Sequence, residues 1–210
     1  MTMEFVKRQY RLAWDFFKQS LAKPFLGCAL AFLALCVVSG LLFGRFTHQA
    51  EAVVEQFLSD LEQSGLLKEN GTIGLPALLG NNLRATLVAA ALGIVPFVYL
   101  TVLPLAMNAV VIGAVLAASS AMGAGLWQMV VLGLLPHGVF ELPAILLGMA
   151  MGLRLCAGLS AAIRKKPGAP RPEELLPQLV RQYVCFCLPL LTVAAVVETF
   201  VTPVLMGLAL

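Results

Sequence analysis

The chain carries little charge. Only 12% of its 210 residues are Asp, Glu, Lys or Arg, whereas 60% are apolar. Apolar runs of membrane-spanning length, about 20 residues each, recur from Pro24 onward. This composition excludes a chain built of soluble domains and predicts an all-α integral membrane protein. The small net charge of +3 gives no indication of nucleic acid as a partner.

The longest polar connection, residues 45–84, lacks cysteine altogether. All five cysteines lie in or beside apolar runs: Cys28, Cys36, Cys156, Cys185 and Cys187. A disulfide framework would place cysteines in an oxidising outer connection, so such a framework is excluded. Cys185 and Cys187 are two apart and diverge on a helix, which does not indicate a metal pair. We therefore expect small buried apolar residues here, and no cofactor or bound metal.

Recognisable catalytic constellations are also missing. His137 and Glu141 do not have the H-E-x-x-H spacing of a zinc protease, and no Ser-His arrangement is evident. We therefore predict no catalytic residues and do not expect an enzyme.

Basic residues gather at two places. Five precede the first apolar run and five follow the fourth: Lys7, Arg8, Arg11, Lys18 and Lys23, then Arg164, Lys165, Lys166, Arg171 and Arg181. The positive-inside rule places both groups in the cytoplasm, whereas acidic residues dominate residues 51–69. We therefore predict a multi-pass protein of the cell inner membrane with a cytoplasmic N-terminus.

This charge pattern divides the chain into six segments. We expect a cytoplasmic amphipathic interfacial helix (1–23), a first transmembrane helix (24–44) and an extracytoplasmic connection (45–84). A transmembrane core (85–163), a cytoplasmic linker (164–182) and a last transmembrane helix (183–210) follow. The core must cross an odd number of times, which gives about five transmembrane helices in total. To satisfy this parity, Leu126 to Leu135 is predicted to be a re-entrant half-helix that turns back at Pro136-His137-Gly138.

Two amphipathic stripes lie outside the apolar runs. In residues 1–23, apolar side chains recur at helical spacing, which is typical of a helix lying on the membrane surface; a protein-docking helix is the alternative. A second stripe occupies residues 50–61 of the outer connection and is expected to end at the turn dipeptide Asn70-Gly71. The inner linker, rich in proline and charge from Lys165 to Pro177, is predicted to be extended and exposed.

The stretch from Leu134 to Leu155 sets His137, Glu141 and Arg154 inside an apolar run. Each ionisable group in hydrocarbon costs roughly 2.5–3.5 kcal/mol unless it is paired or hydrated. His137 and Glu141 stand four residues apart, so a helix presents them on one face. Either the prolines around them form a hydrogen-bonded kink that fixes helix geometry, or the residues form a functional site.

Depth along the helices suggests partners for these groups. Arg154 lies too far along its own helix to reach Glu141, so we expect Glu198 to pair with Arg154 and Arg84 to pair with Glu141. The full candidate intramembrane polar site comprises His137, Glu141, Arg154, Glu198, Asn81, Asn82, Arg84 and Asn108. Gly40-x-x-x-Gly44 and Gly148-x-x-x-Gly152 predict close helix contacts, within the chain or in a homo-oligomer.

The stretch Leu135 to Leu155, LPHGVFELPAILLGMAMGLRL, resembles the hallmark of the stage II sporulation protein M family. Asn81-Asn82-Leu83-Arg84, then Asn108, then Glu198 to Pro203 match that family's pattern in the same order. The resemblance covers roughly residues 81–203. It implies a polytopic membrane component that, in spore formers, works with cell-wall-degrading partners during engulfment, whereas relatives elsewhere have largely undefined roles.

Two functions follow as expectations. In the first, the protein is a membrane scaffold or partner-recruiting subunit of an envelope complex, with the lipid bilayer and membrane or envelope proteins as partners. In the second, the intramembrane polar residues line a channel or transporter pathway for a proton, ion or small solute.

Overall fold

The computed structural model describes residues 2–64, 74–123 and 125–207, and within them it contains helices, turns and bends but no strand. The helices are α1 (Thr2–Phe16), α2 (Ala22–Arg45), α3 (Thr47–Gln63), α4 (Leu75–Ala91), α5 (Val102–Ala121), α6 (Leu126–Gln128), α7 (Leu135–Ile163), α8 (Pro172–Gln182), α9 (Leu188–Phe200) and α10 (Thr202–Gly207). The predicted turn at Asn70-Gly71 lies outside the described residues.

Three pairs of these helices join without a break. A π-type turn at Phe17–Leu21 connects α1 to α2, a second at Met129–Leu134 connects α6 to α7, and a third at Tyr183–Cys187 connects α8 to α9. Within the described part of the chain, five helical stretches are thus long and apolar enough to cross a membrane: Met3–Arg45, Leu75–Ile94, Val102–Ala121, Leu126–Ile163 and Pro172–Gly207. The all-helical fold and the five long apolar helices match the sequence prediction.

The predicted re-entrant half-helix is not confirmed. The chain stays helical from Leu126 through Pro136-His137-Gly138 to Ile163 and does not turn back at that tripeptide. Pro136 occupies the first turn of α7, where a missing N–H breaks no intrahelical hydrogen bond and the fixed φ suits the helix. The proline therefore begins a helix without reversing the chain.

The centre of the bundle is α7. Seven consecutive residues, from Leu146 to Gly152, are buried, so neighbours surround the helix on all sides at this level. Helix α4 runs in the same direction as α7, since Thr86 lies beside Gly148 and Ala89 beside Gly152. Helix α9 runs in the opposite direction: near its start, Cys187 Sγ lies 3.6 Å from Ala144 O, and beyond its end Thr202 lies beside His137.

A second layer consists of α2, α5 and α3. Ser39 Oγ donates a hydrogen bond to Ala109 O at 3.2 Å. Cys28 and Phe32 share a core cluster with Leu105 and Ala109, whereas Phe43 packs beside Ala114 and Ala117, so α2 and α5 run in the same direction. Helix α3 packs Ala50 of the predicted stripe on alanines of α5, whereas Phe57 and Leu58 of the same stripe are exposed, so the amphipathic prediction is not confirmed over its full length.

We name the two ends of α7 the His137 end, where it begins, and the Lys165 end, where it finishes. At the Lys165 end α1 packs on α8: Arg181 Nε donates to Gln9 Oε1 at 2.8 Å, and the rings of Tyr10 and Phe186 meet edge-to-face at 5.9 Å. Part of the predicted linker is therefore helical. Pro172 begins α8, and Leu175 and Leu179 bury one face of it.

Candidate functional site

At the His137 end, the first turns of α7 place an imidazole and a carboxylate side by side. His137 Nε2 lies 3.9 Å from Glu141 Oε2, and their side chains are 13% and 19% exposed. The helical spacing of four residues predicted this common face. The distance is too long for a hydrogen bond, so the two groups are neighbours without a direct bond.

A third ionisable group comes from the last turn of α9. Glu198 is half-buried, and one ligand atom each from His137, Glu141 and Glu198 lie within 4.8 Å of one another. We call these three residues the HEE cluster. One imidazole nitrogen and two carboxylate oxygens at this spacing can share a proton or surround a cation.

Thr202 positions the imidazole. Its Oγ1 lies 3.4 Å from Val197 O, to which the hydroxyl donates, and 3.4 Å from His137 Nδ1. With the hydroxyl hydrogen directed to Val197, the oxygen accepts a hydrogen bond from His137 in the tautomer that carries its proton on Nδ1. In a neutral imidazole this arrangement leaves the lone pair of Nε2 facing the carboxylates.

The expected charge pairs are not found. Arg154 lies about 20 Å along α7 from Glu141, with its guanidinium beside Gly158, whereas Glu198 lies beside Glu141. The antiparallel direction of α9 and α7 was expected, and the depth argument failed on their register, because Cys187 is already level with Ala144. The last turn of α9 therefore reaches the beginning of α7.

Arg84 does not contact Glu141 either. The buried face of α4 consists of Leu78, Asn82, Thr86 and Ala89, and Arg84 lies on the opposite, exposed side. No ion pair joins it to Glu141 among the described residues.

The three asparagines of the candidate set are dispersed. Asn81 is exposed. Asn82 is buried on α4, and its Nδ2 has no hydrogen-bond partner within the described chain. Asn108 is exposed and donates to Pro104 O of its own helix at 2.8 Å. Of the eight predicted residues, the structure therefore brings together His137, Glu141 and Glu198.

Sequence reasoning missed Thr202 and Thr101. Glu198 and Thr202 are four residues apart near the helix-breaking Pro203, a spacing that could have placed the threonine next to Glu198. Thr101 is fully buried and donates to Ala89 O of α4 at 2.6 Å. Its Oγ1 also lies 3.5 Å from Met149 O, so the connection after α4 contacts the middle of α7. No local sequence pattern indicates that long-range contact.

Comparisons with known proteins agree with the sequence resemblance. Residues 19–203 match the family described as stage II sporulation protein M. An uncharacterized protein of Methanocaldococcus jannaschii is 25% identical over 134 residues, which make up 64% of this chain and 74% of that relative. No solved structure matches the chain.

Proposed function

Because the chain belongs to the stage II sporulation protein M family, we propose that it acts as a membrane scaffold that recruits protein partners of the cell envelope. The observation that carries this proposal is the closed centre of the bundle. Leu146 to Gly152 are buried, and Gly148 and Gly152 lie directly against the backbone of α4 at Thr86 and Ala89. A solute pathway needs a polar or hydrated lane through the bundle, and closely packed small residues favour a rigid framework instead.

The surface most suited to partners lies at the Lys165 end. Helix α8 buries Leu175 and Leu179 against the bundle, yet Leu176 and Val180 on its other side are 48% and 62% exposed. Helix α1 exposes Met3, Phe5 and Trp14 on either side of its basic residues Lys7, Arg8 and Arg11. Apolar side chains flanked by charge suit either a protein partner or the membrane surface.

Charge sets the orientation that we propose for this scaffold. By the positive-inside rule, the basic residues of α1 and of residues 164–171 favour a cytoplasmic Lys165 end, and in this proposal the acidic residues of α3 lie on the other side of the membrane. Single cysteines at Gln63 and Lys166, both exposed, in a protein free of its native cysteines should label from opposite sides with an impermeant maleimide. Labelling from one side would contradict this orientation.

Site-specific photo-crosslinking in cells tests the scaffold itself. A photoreactive residue at Leu176 should give a discrete adduct with an envelope protein, whereas the same residue at Leu33, which is 60% exposed on α2, should contact lipid and give none. Purified protein in proteoliposomes should carry no flux of protons, cations or anions above empty vesicles. A flux that Glu141→Gln abolishes would replace the scaffold by the transport alternative.

A further inference from the structure

In the described part of the chain, the HEE cluster has no basic partner. Among the described residues, neither a lysine nor an arginine forms an ion pair with Glu141 or Glu198. Two carboxylates held together in largely apolar surroundings repel each other and lose hydration. In the tautomer protonated on Nδ1, the lone pair of His137 Nε2 also faces them, which adds a third electron-rich atom. A cation placed between the three groups would attract each of them and so offset their mutual repulsion.

We propose that His137, Glu141 and Glu198 bind one divalent transition-metal ion of the Zn²⁺ class. In a tetrahedral zinc site with bonds of about 2.0–2.1 Å, ligand atoms lie roughly 3.3 Å apart. The corresponding atoms of the cluster lie within 4.8 Å of one another. Binding therefore requires the two glutamate side chains to rotate toward His137 Nε2.

The polar surroundings match this ion in two respects. Thr202 holds Nδ1 of His137, and such a partner on the far ring nitrogen is the usual way in which a metal-binding histidine is oriented. One imidazole with two carboxylates selects transition metals over Mg²⁺ and Ca²⁺, which prefer oxygen ligands alone. Two carboxylates also neutralise a divalent ion, so the occupied site adds no net charge to the bundle.

The ion would join two parts of the chain that are far apart in sequence. His137 and Glu141 belong to the start of α7, and Glu198 to the end of α9. A shared ion therefore fixes the His137 end of the bundle. Three protein ligands leave a fourth coordination position open to water. This site is independent of the scaffold proposal and stands or falls separately from it.

Metal retention by the purified full-length chain tests the proposal. After incubation with Zn²⁺ and desalting in detergent, the unmodified protein should hold about one zinc per chain, and its Tm should rise by about 5–10 °C at saturating zinc. Glu198→Gln, which keeps the side-chain shape, should lose both effects. The matched control is His48→Ala, which removes the other, exposed histidine and should behave like the unmodified protein. Mg²⁺ should produce no shift.

The five cysteines require a separate measurement. Co²⁺ bound to the unmodified protein should show tetrahedral d–d absorption without a thiolate charge-transfer band, because the proposed ligands contain no sulfur. This readout needs no variant and remains valid if Glu198→Gln fails to fold. Absence of retained metal, a thiolate band, or equal retention in Glu198→Gln would each overturn the proposal.

Discussion

Helices α2 and α7 are both apolar enough to cross a membrane, yet they occupy opposite environments. In α2, 3 of 24 residues are buried, whereas in α7 the number is 13 of 29. The buried residues of α2 are Cys28, Phe32 and Ser39, scattered along one side. Those of α7 include an unbroken stretch with two glycines. One helix faces mainly outward, and the other is the axis around which the bundle packs.

This difference shows which property of a sequence selects the centre of a membrane protein. Leucine gains little by leaving lipid for a protein interior, because both are apolar. Small residues gain more, since they let backbones approach and make dense van der Waals contacts. Gly148 and Gly152 meet α4 at Thr86 and Ala89, whereas Gly27 and Gly44 of α2 have open space around them. The position of glycine, and not apolarity, distinguishes the two helices.

The largest expected effect comes from filling the contact between α7 and α4. Replacing Gly148 and Gly152 together by Leu should destabilise the protein by more than about 3 kcal/mol, because neighbouring backbone occupies the space that a side chain would need. Gly27→Leu with Gly44→Leu is the matched control and should fold normally. Fluorescence-detected size-exclusion and thermal unfolding in detergent measure both. An unchanged Tm of the α7 double variant would contradict the assignment of α7 as the packed axis.

Shortening a large side chain should also destabilise the protein more in α7 than in α2. Met151→Ala removes a side chain that is 1% exposed in the main core and should cost about 2–5 kcal/mol through the cavity that it leaves. Leu33→Ala on α2 should change stability by less than about 0.5 kcal/mol. Equal losses in thermal unfolding would mean that α2 is covered by another surface, such as a second copy of the chain.

At the contact between α2 and α5, adding a methyl group to one glycine should cost more stability than adding it to the other. A Cβ at Gly113 would meet the side chain of Ser39 and the backbone of Gly40, whereas one at Gly40 would reach Gly113 only at an ordinary 3.9 Å. Gly113→Ala should therefore cost about 1–3 kcal/mol, and Gly40→Ala should stay within about 1 kcal/mol of the original chain. The reverse order of Tm values would show that the two helices meet differently.

Much of the fold follows from the sequence. The apolar runs predict the long helices, and the four-residue spacing of His137 and Glu141 predicts their common face. Two kinds of feature do not follow. A proline such as Pro136 can stand at a chain reversal or in the first turn of a helix. Only the surrounding packing distinguishes these two positions. The partner of Glu198 depends on how deeply α9 slides along α7, and this register is set by three-dimensional packing.

The smallest effects concern single buried hydroxyls. Thr101→Val should cost about 1 kcal/mol, because Ala89 O loses its 2.6 Å donor at the centre of the bundle. Ser39→Ala should cost about 0.6 kcal/mol, since its hydroxyl is shared between Cys36 O and Ala109 O at 3.2 Å each. Thr192→Val is the control, because the Thr192 hydroxyl donates to Leu188 O of its own helix on an exposed face. A larger loss of stability for Ser39→Ala than for Thr101→Val would contradict the expectation that contacts around α7 contribute more to stability than those of α2.

The π-type turns at Phe17–Leu21 and Tyr183–Cys187 have a geometric consequence. Such a turn holds one residue more than a regular α-helical turn, and each residue corresponds to a rotation of about 100° around the helix axis. The faces of α1 and α8 are therefore offset by about 100° from the positions that an unbroken α-helix would give them relative to α2 and α9. Helices α1 and α8 also contact each other through Arg181 and Gln9. Removing one residue from either turn would rotate one member of this pair by about a quarter of a revolution and break its match to the other.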